Sequence, residues 1–156
     1  MHFIQENCGV FGICSQYDCS GEIFQAIDFL QHRGQQYCGI STYDGTIHHE
    51  THRGRVANSF PEEELMRLGG RWGIGHVSLR DRQPLRWRTR LGEISVGFSG
   101  NVINAHELAR EMMGRGKSFL EGTDVEIVSK IIIEGSSLTD GIADLARKVR
   151  GAYSLV

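Results

Sequence analysis

Strand-like runs precede and follow a block of helices in this chain with no strict βαβ alternation, an order that argues for an α+β layering and against a doubly wound sheet. Residues 8–13, Cys-Gly-Val-Phe-Gly-Ile, read as a short buried strand, and a second strand is expected over residues 38–43. Residues 72–77 and 93–98 read as central strands, the latter alternating Ile94, Val96 and Phe98 on one face. A last strand covers residues 151–156 and stops without a turn, so a chain cut short at its C-terminal end is the expectation.

The helices have their own signals. Ile23, Ala26, Ile27 and Leu30 recur at helical spacing, which predicts a helix over residues 22–31 ended by Arg33-Gly34. Pro61 followed by Glu62, Glu63 and Glu64 opens another, closed by Leu65 and Leu68. Asn104 with Glu107 and Thr123 with Glu126 each set an N-cap oxygen three residues before a glutamate, the capping-box spacing. A further helix is expected over residues 140–149, with Ile142, Leu145 and Val149 inward.

The 156 residues suit one domain with a core of two or more layers. A formal charge of −2 lacks the basic excess that nucleic acid demands. No run approaches the ~18 apolar residues of a membrane span, and residues 1–7 lack the charged and apolar regions of a secretory signal, so a cytoplasmic protein with neither nucleic acid nor membrane as partner is expected. Cys8, Cys14, Cys19 and Cys38 fit neither zinc-knuckle spacing nor a disulfide framework and are read as free thiols. His48, His49 and His52 lie in a polar stretch between Gly45 and Gly54, read as a solvated strand edge or loop; neither a metal nor a cofactor is assigned.

Chemistry centres on Cys8. If residues 1–7 are removed as a leader, its thiol sits beside a free α-amine, whose unperturbed pKa near ~8 suits a general base. The blocks that follow are Leu30-Gln31-His32-Arg33-Gly34, Gly75-His76-Val77, Ser99-Gly100-Asn101-Val102-Ile103-Asn104, Thr123-Asp124-Val125-Glu126 and Gly151-Ala152-Tyr153-Ser154. In that order, over nearly the whole chain, they resemble the class II glutamine amidotransferases, most closely the glutaminase half of amidophosphoribosyltransferase. The resemblance implies the four-layer αββα sandwich of N-terminal nucleophile hydrolases over residues 8–156. It implies ammonia release from glutamine through a Cys8 thioester, for a phosphoribosyltransferase or other synthase partner in purine-type biosynthesis. A homo-oligomer is a further candidate assembly.

Residue by residue, the resemblance makes Cys8 the nucleophile, gives Asp124 the α-ammonium of glutamine and assigns Arg33 to substrate binding. Gly100 would offer an oxyanion N–H. Ser99 stands where the family has the oxyanion asparagine, and Ser78 where it has the arginine that clamps the α-carboxylate. Arg80, two residues on, would face the same side of an extended strand and reach the vacated space. The family's lid loop is shortened to residues 78–82. These departures define the alternative reading, a catalytically impaired relative acting as a binding or regulatory module. Arg80, Arg82, Arg86, Arg88 and Arg90 around Trp87 read as a solvated hairpin or an interaction surface for a phosphate-bearing ligand or acidic partner.

Overall fold

The computed structural model describes residues 8–156, so the expected leader lies outside the described residues. Strand β1 (Cys8–Cys14) leads into helix α1 (Ser20–Phe29) and a 3-10 turn over Leu30–Arg33. Strands β2 (Tyr37–Tyr43) and β3 (Ile47–Arg53) form a hairpin, followed by the short helices α2 (Val56–Ser59) and α3 (Glu62–Arg67). Strand β4 (Trp72–Ser78) completes an antiparallel sheet ordered β1-β4-β2-β3, with β3 at one edge.

The second β layer is built from two pairs. Strands β5 (Leu85–Thr89) and β6 (Gly92–Val96) make a hairpin, and β7 (Phe98–Val102) pairs antiparallel with β8 (Gly151–Leu155). Helices α4 (Ala105–Gly114), α5 (Asp124–Glu134) and α6 (Leu138–Lys148) lie between β7 and β8 in sequence. The result is α+β: a four-layer αββα sandwich in which α1 covers one sheet and the α4–α6 group covers the other β layer.

Two apolar cores follow from this layering. Ile23 and Ile27 of α1 pack with Ile40 and Val77 of the first sheet. Gly73 and Gly75 of β4 admit the helix, because a Cβ on Gly75 would lie 2.5 Å from Ile27 Cγ2. On the other side, Val96, Phe98 and Val102 meet Val125, Val128, Ile131 and Leu145. Between the β layers Ser95 Oγ donates to Ser41 Oγ at 2.7 Å; within the second layer Gly97 and Val156 exchange backbone hydrogen bonds at 2.9 Å, one rung beyond the β7–β8 pairing.

Several sequence expectations need correction. The strand expected over residues 93–98 is broken at Gly97, because its backbone turns to bond Val156; residues 92–96 belong to the β5–β6 hairpin and Phe98 begins β7. Asn104 makes no capping bond, since its side chain bridges Lys148 O at 2.9 Å and Arg150 N at 2.8 Å at the entry to β8. Thr123 does cap α5, accepting from Glu126 N at 3.4 Å, but the Glu126 carboxylate turns to the N–H groups of Leu120, Glu121 and Gly122. Ile142 is 45% exposed, because α6 presses Gly141 and Leu145 against α5 instead.

Candidate active site

Antiparallel pairing sets Cys8, at the start of β1, directly opposite Ser78, at the end of β4. Opposed residues share a face of the sheet, and this one faces the second β layer. There β7 brings Ser99 to the nucleophile candidate: Ser99 Oγ donates to the Cys8 carbonyl oxygen at 2.9 Å. The 3-10 turn after α1 delivers Arg33 to the same atom, its Nε–H donating at 2.7 Å. Two donors therefore fix the Cys8 carbonyl, one from each side of the interlayer seam. Gly34 lets this turn press on the Ser78 backbone, as a Cβ there would lie 2.4 Å from Ser78 Cα.

The thiol itself is half-buried, and its pKa is pushed up to about 11. Burial is the largest cause and the Asp81 carboxylate adds to it; Arg33, the Leu79 N–H and Arg80 pull the other way. With the preceding peptide intact, Cys8 is thus a protonated thiol at neutral pH. Asp81 is a neighbour that sequence reasoning missed. Its own carboxyl is raised by burial and by Glu121 and Asp124, against Arg80. The available signal was its place inside the shortened loop after β4.

That loop is pinned at both ends. Ser78 is fully buried and its Oγ donates to Asp81 O at 2.5 Å, while buried Gln83 accepts from Phe98 N at 2.7 Å. Arg80 is exposed, and the extended geometry expected for it does not form because β4 ends at Ser78 and the backbone bends at residues 79–80. Its charge nonetheless acts on both Cys8 and Asp81.

Asp124 occupies the first turn of α5. Its Oδ2 accepts from Val102 N at 2.8 Å, which ties the helix start to the end of β7, two residues beyond Gly100. Burial raises its carboxyl, offset by the Val102 N–H and by His106. Gly100 has φ +146°, and a Cβ there would lie 2.3 Å from Ala152 O, so any larger residue would push β8 away. Two concavities adjoin these groups. One of about 260 Å³ is lined by Arg33, Ser99 and residues 152–154; the other, about 200 Å³, by Asp81, Thr123, Arg82, Leu85 and Trp87 among others. Thus Cys8, Arg33, Ser78, Ser99 and Asp81 come together, with Gly100 and Asp124 reached through β7.

The remaining sequence candidates fall outside the site. All four cysteines are free thiols, Cys19 and Cys38 fully buried. The histidine run is an edge strand, as expected, but it is only partly solvated and two of its rings meet carboxylates, His48 with Asp44 and His52 with Glu64. In the arginine-rich hairpin, Arg86 and Arg88 both pair with Glu93 at 2.8 Å, and the half-buried Trp87 lies under Lys130 Nζ at 4.8 Å from its ring centroid. No helix among the described residues is long and apolar enough to cross a membrane.

Comparison with known proteins places the chain by family and fold. A family model described as a glutamine amidotransferase domain matches residues 71–156. An amidophosphoribosyltransferase of Methanocaldococcus jannaschii is 34% identical across 96% of this chain and 35% of its own length. One of Methanothermobacter thermautotrophicus is also 34% identical, across 98% of this chain and 36% of its own. The chain therefore spans about a third of the length of the curated relatives it matches. The solved structure of the glutamine phosphoribosylpyrophosphate amidotransferase from B. subtilis, complexed with ADP and GMP, superposes with a TM-score of 0.88 at 28% identity, over 94% of this chain and 34% of that one. With its fold, motif order and matched region in agreement, the chain belongs to the glutamine amidotransferase domain family.

Proposed function

We propose that residues 8–156 act as a glutaminase domain, releasing ammonia from glutamine for a synthase partner of the phosphoribosyltransferase kind, in the cytoplasm, once residues 1–7 are removed. The observation that carries this reading is the convergence on the Cys8 carbonyl of Arg33 and Ser99, from opposite sides of the interlayer seam. Removal of the leader turns the Cys8 amide into an amine. That amine takes the thiol proton while Sγ adds to the side-chain carbonyl carbon of glutamine, and the charge passes to the carbonyl oxygen, for which Gly100 is the N–H donor. The proton then leaves with ammonia, and water cleaves the thioester to glutamate. Asp124 serves the α-ammonium group through the carboxylate it already presents at the start of α5.

A second reading, a binding module with an impaired glutamine site, is favoured by one specific observation. Ser78 is buried and spends its hydroxyl on Asp81 O, so it offers no charge to an α-carboxylate. Intact mass and labelling decide between them. A glutaminase loses residues 1–7 and takes up one equivalent of a glutamine-mimicking electrophile on Cys8. A chain that retains the leader when co-produced with its synthase partner and resists the reagent is a binding module.

A further inference from the structure

We propose that Glu50, His52 and Glu64 form a site for a divalent transition ion of the Zn²⁺ type, clipping the free edge of the first sheet to helix α3. The site stands apart from Cys8 and does not depend on the glutaminase reading.

Strand period places it. Glu50 and His52, two residues apart on β3, share a face, and their cross-strand partners are Ile40 and Cys38 of the buried α1-side core. Strand β3 is the outer strand of the sheet, so this row borders the rim and not the molecule's middle. Glu64 arrives from α3, and Phe60 between α2 and α3 fixes the imidazole by an edge contact, centroids 4.8 Å apart at 88°. One ligand atom from each of Glu50, His52 and Glu64 lies within 4.8 Å of the others.

The chemistry of the donors selects the ion. An imidazole nitrogen with two carboxylate oxygens suits zinc and its neighbours, with water completing a tetrahedron, whereas Mg²⁺ and Ca²⁺ take oxygen alone. Charge points the same way. The Glu64 side chain is only 13% exposed, and among the described residues its ion-pair partner is His52, at 2.5 Å. A dication between the two glutamates balances both carboxylates, which one imidazolium cannot. Entry of the ion requires the His52 Nε2 to Glu64 Oε1 distance to open to the ~3.3 Å that tetrahedral ligands at about 2.0 Å require, a rotamer adjustment of Glu64. Sequence spacing hid the site because Glu64 is twelve residues from His52 and on a different element.

Calorimetric titration of the chelator-treated full chain with Zn²⁺ alone tests the assignment. One ion per chain is expected, with a matching rise in unfolding temperature that Mg²⁺ does not produce. Glu50→Gln alters an exposed residue and Glu64→Gln keeps a hydrogen-bonding partner for His52, so both should fold; each should weaken Zn²⁺ by at least about tenfold. Asp44→Asn, which removes the partner of His48, should leave affinity unchanged. Zinc affinity undiminished in both glutamine variants, or no zinc uptake by the parent chain, overturns the proposal.

Discussion

Ser99 Oγ and the Cys8 carbonyl oxygen are joined by a 2.9 Å hydrogen bond that spans the two β layers. It links β7 to the first residue of β1, so the backbone carrying the thiol cannot shift without shifting the segment that carries Gly100. Arg33 holds the same oxygen from α1's side of the first sheet at 2.7 Å. Both contacts orient the Cys8 backbone through its carbonyl.

Cys8→Ala should therefore abolish glutamine hydrolysis and electrophile labelling while leaving the circular dichroism and unfolding midpoint nearly unchanged, because both carbonyl contacts are to the backbone. Retained hydrolysis would place the nucleophile elsewhere. Ser99→Ala, by contrast, removes a neutral donor and should cost about 1 kcal/mol, read from denaturant unfolding.

Acid should destabilise the fold through His76. This ring is fully buried on β4, with Nε2 bonded to Phe98 O at 2.9 Å and Nδ1 lacking a hydrogen-bond partner. Burial depresses its pKa from 6.5 to about 4, outweighing the Phe98 contact. The unfolded chain protonates first, so stability from this group is fully present above about pH 6.5, falls between pH 6.5 and 4, and levels below. The span corresponds to about 3 kcal/mol. A pH series of unfolding free energies checks it: His76→Gln should flatten that interval, and an unchanged slope would remove His76 as the cause.

Glu126 organises the approach to Asp124. Its carboxylate accepts N–H bonds from Leu120, Glu121 and Gly122 at 2.8 to 3.1 Å and pairs with Lys130 at 3.6 Å. Although burial alone would raise its pKa, the backbone bonds and Lys130 hold it below the ordinary value. Its contribution is accordingly present above the unfolded pKa and lost as pH falls through the folded one. Glu126→Gln weakens three charge-assisted bonds and should cost on the order of 2 kcal/mol. Because the loop sets the start of α5, KM for glutamine should rise more than kcat falls; a pure kcat effect would separate Glu126 from substrate binding.

What the sequence made legible was what short-range chemistry determines. Strands β1 and β4 form where the runs at 8–13 and 72–77 indicate, Pro61 with its three glutamates opens α3, and Thr123 caps α5 as spacing implies. Long-range competition decided the rest. Asn104 found better partners at Lys148 and Arg150 than its own helix offered, and Gly97 left its strand to bond Val156. In the site, motif order indicated Cys8, Ser99, Gly100 and Asp124, but only the fold showed Asp81 beside the thiol. Arg33 likewise proved to grip the Cys8 carbonyl, a contact that spacing of 25 residues cannot announce.

Restoring the two altered donors is the most discriminating experiment. In a chain processed at Cys8, Ser99→Asn lengthens the side chain beside Gly100 to carry an amide, and one oxyanion donor is commonly worth ~10²–10³ in turnover. Ser78→Arg introduces a guanidinium where the buried serine now bonds the Asp81 main-chain carbonyl, and a guanidinium fork matches a carboxylate. Breaking the Ser78 bond loosens the loop over residues 79–82, so the arginine should give its benefit mainly in KM and at some cost in unfolding midpoint. The double variant should exceed the parent in kcat/KM by at least about a hundredfold. If it folds, loses residues 1–7 and still neither binds nor hydrolyses glutamine, the pocket has diverged beyond these two positions, and the domain acts by binding.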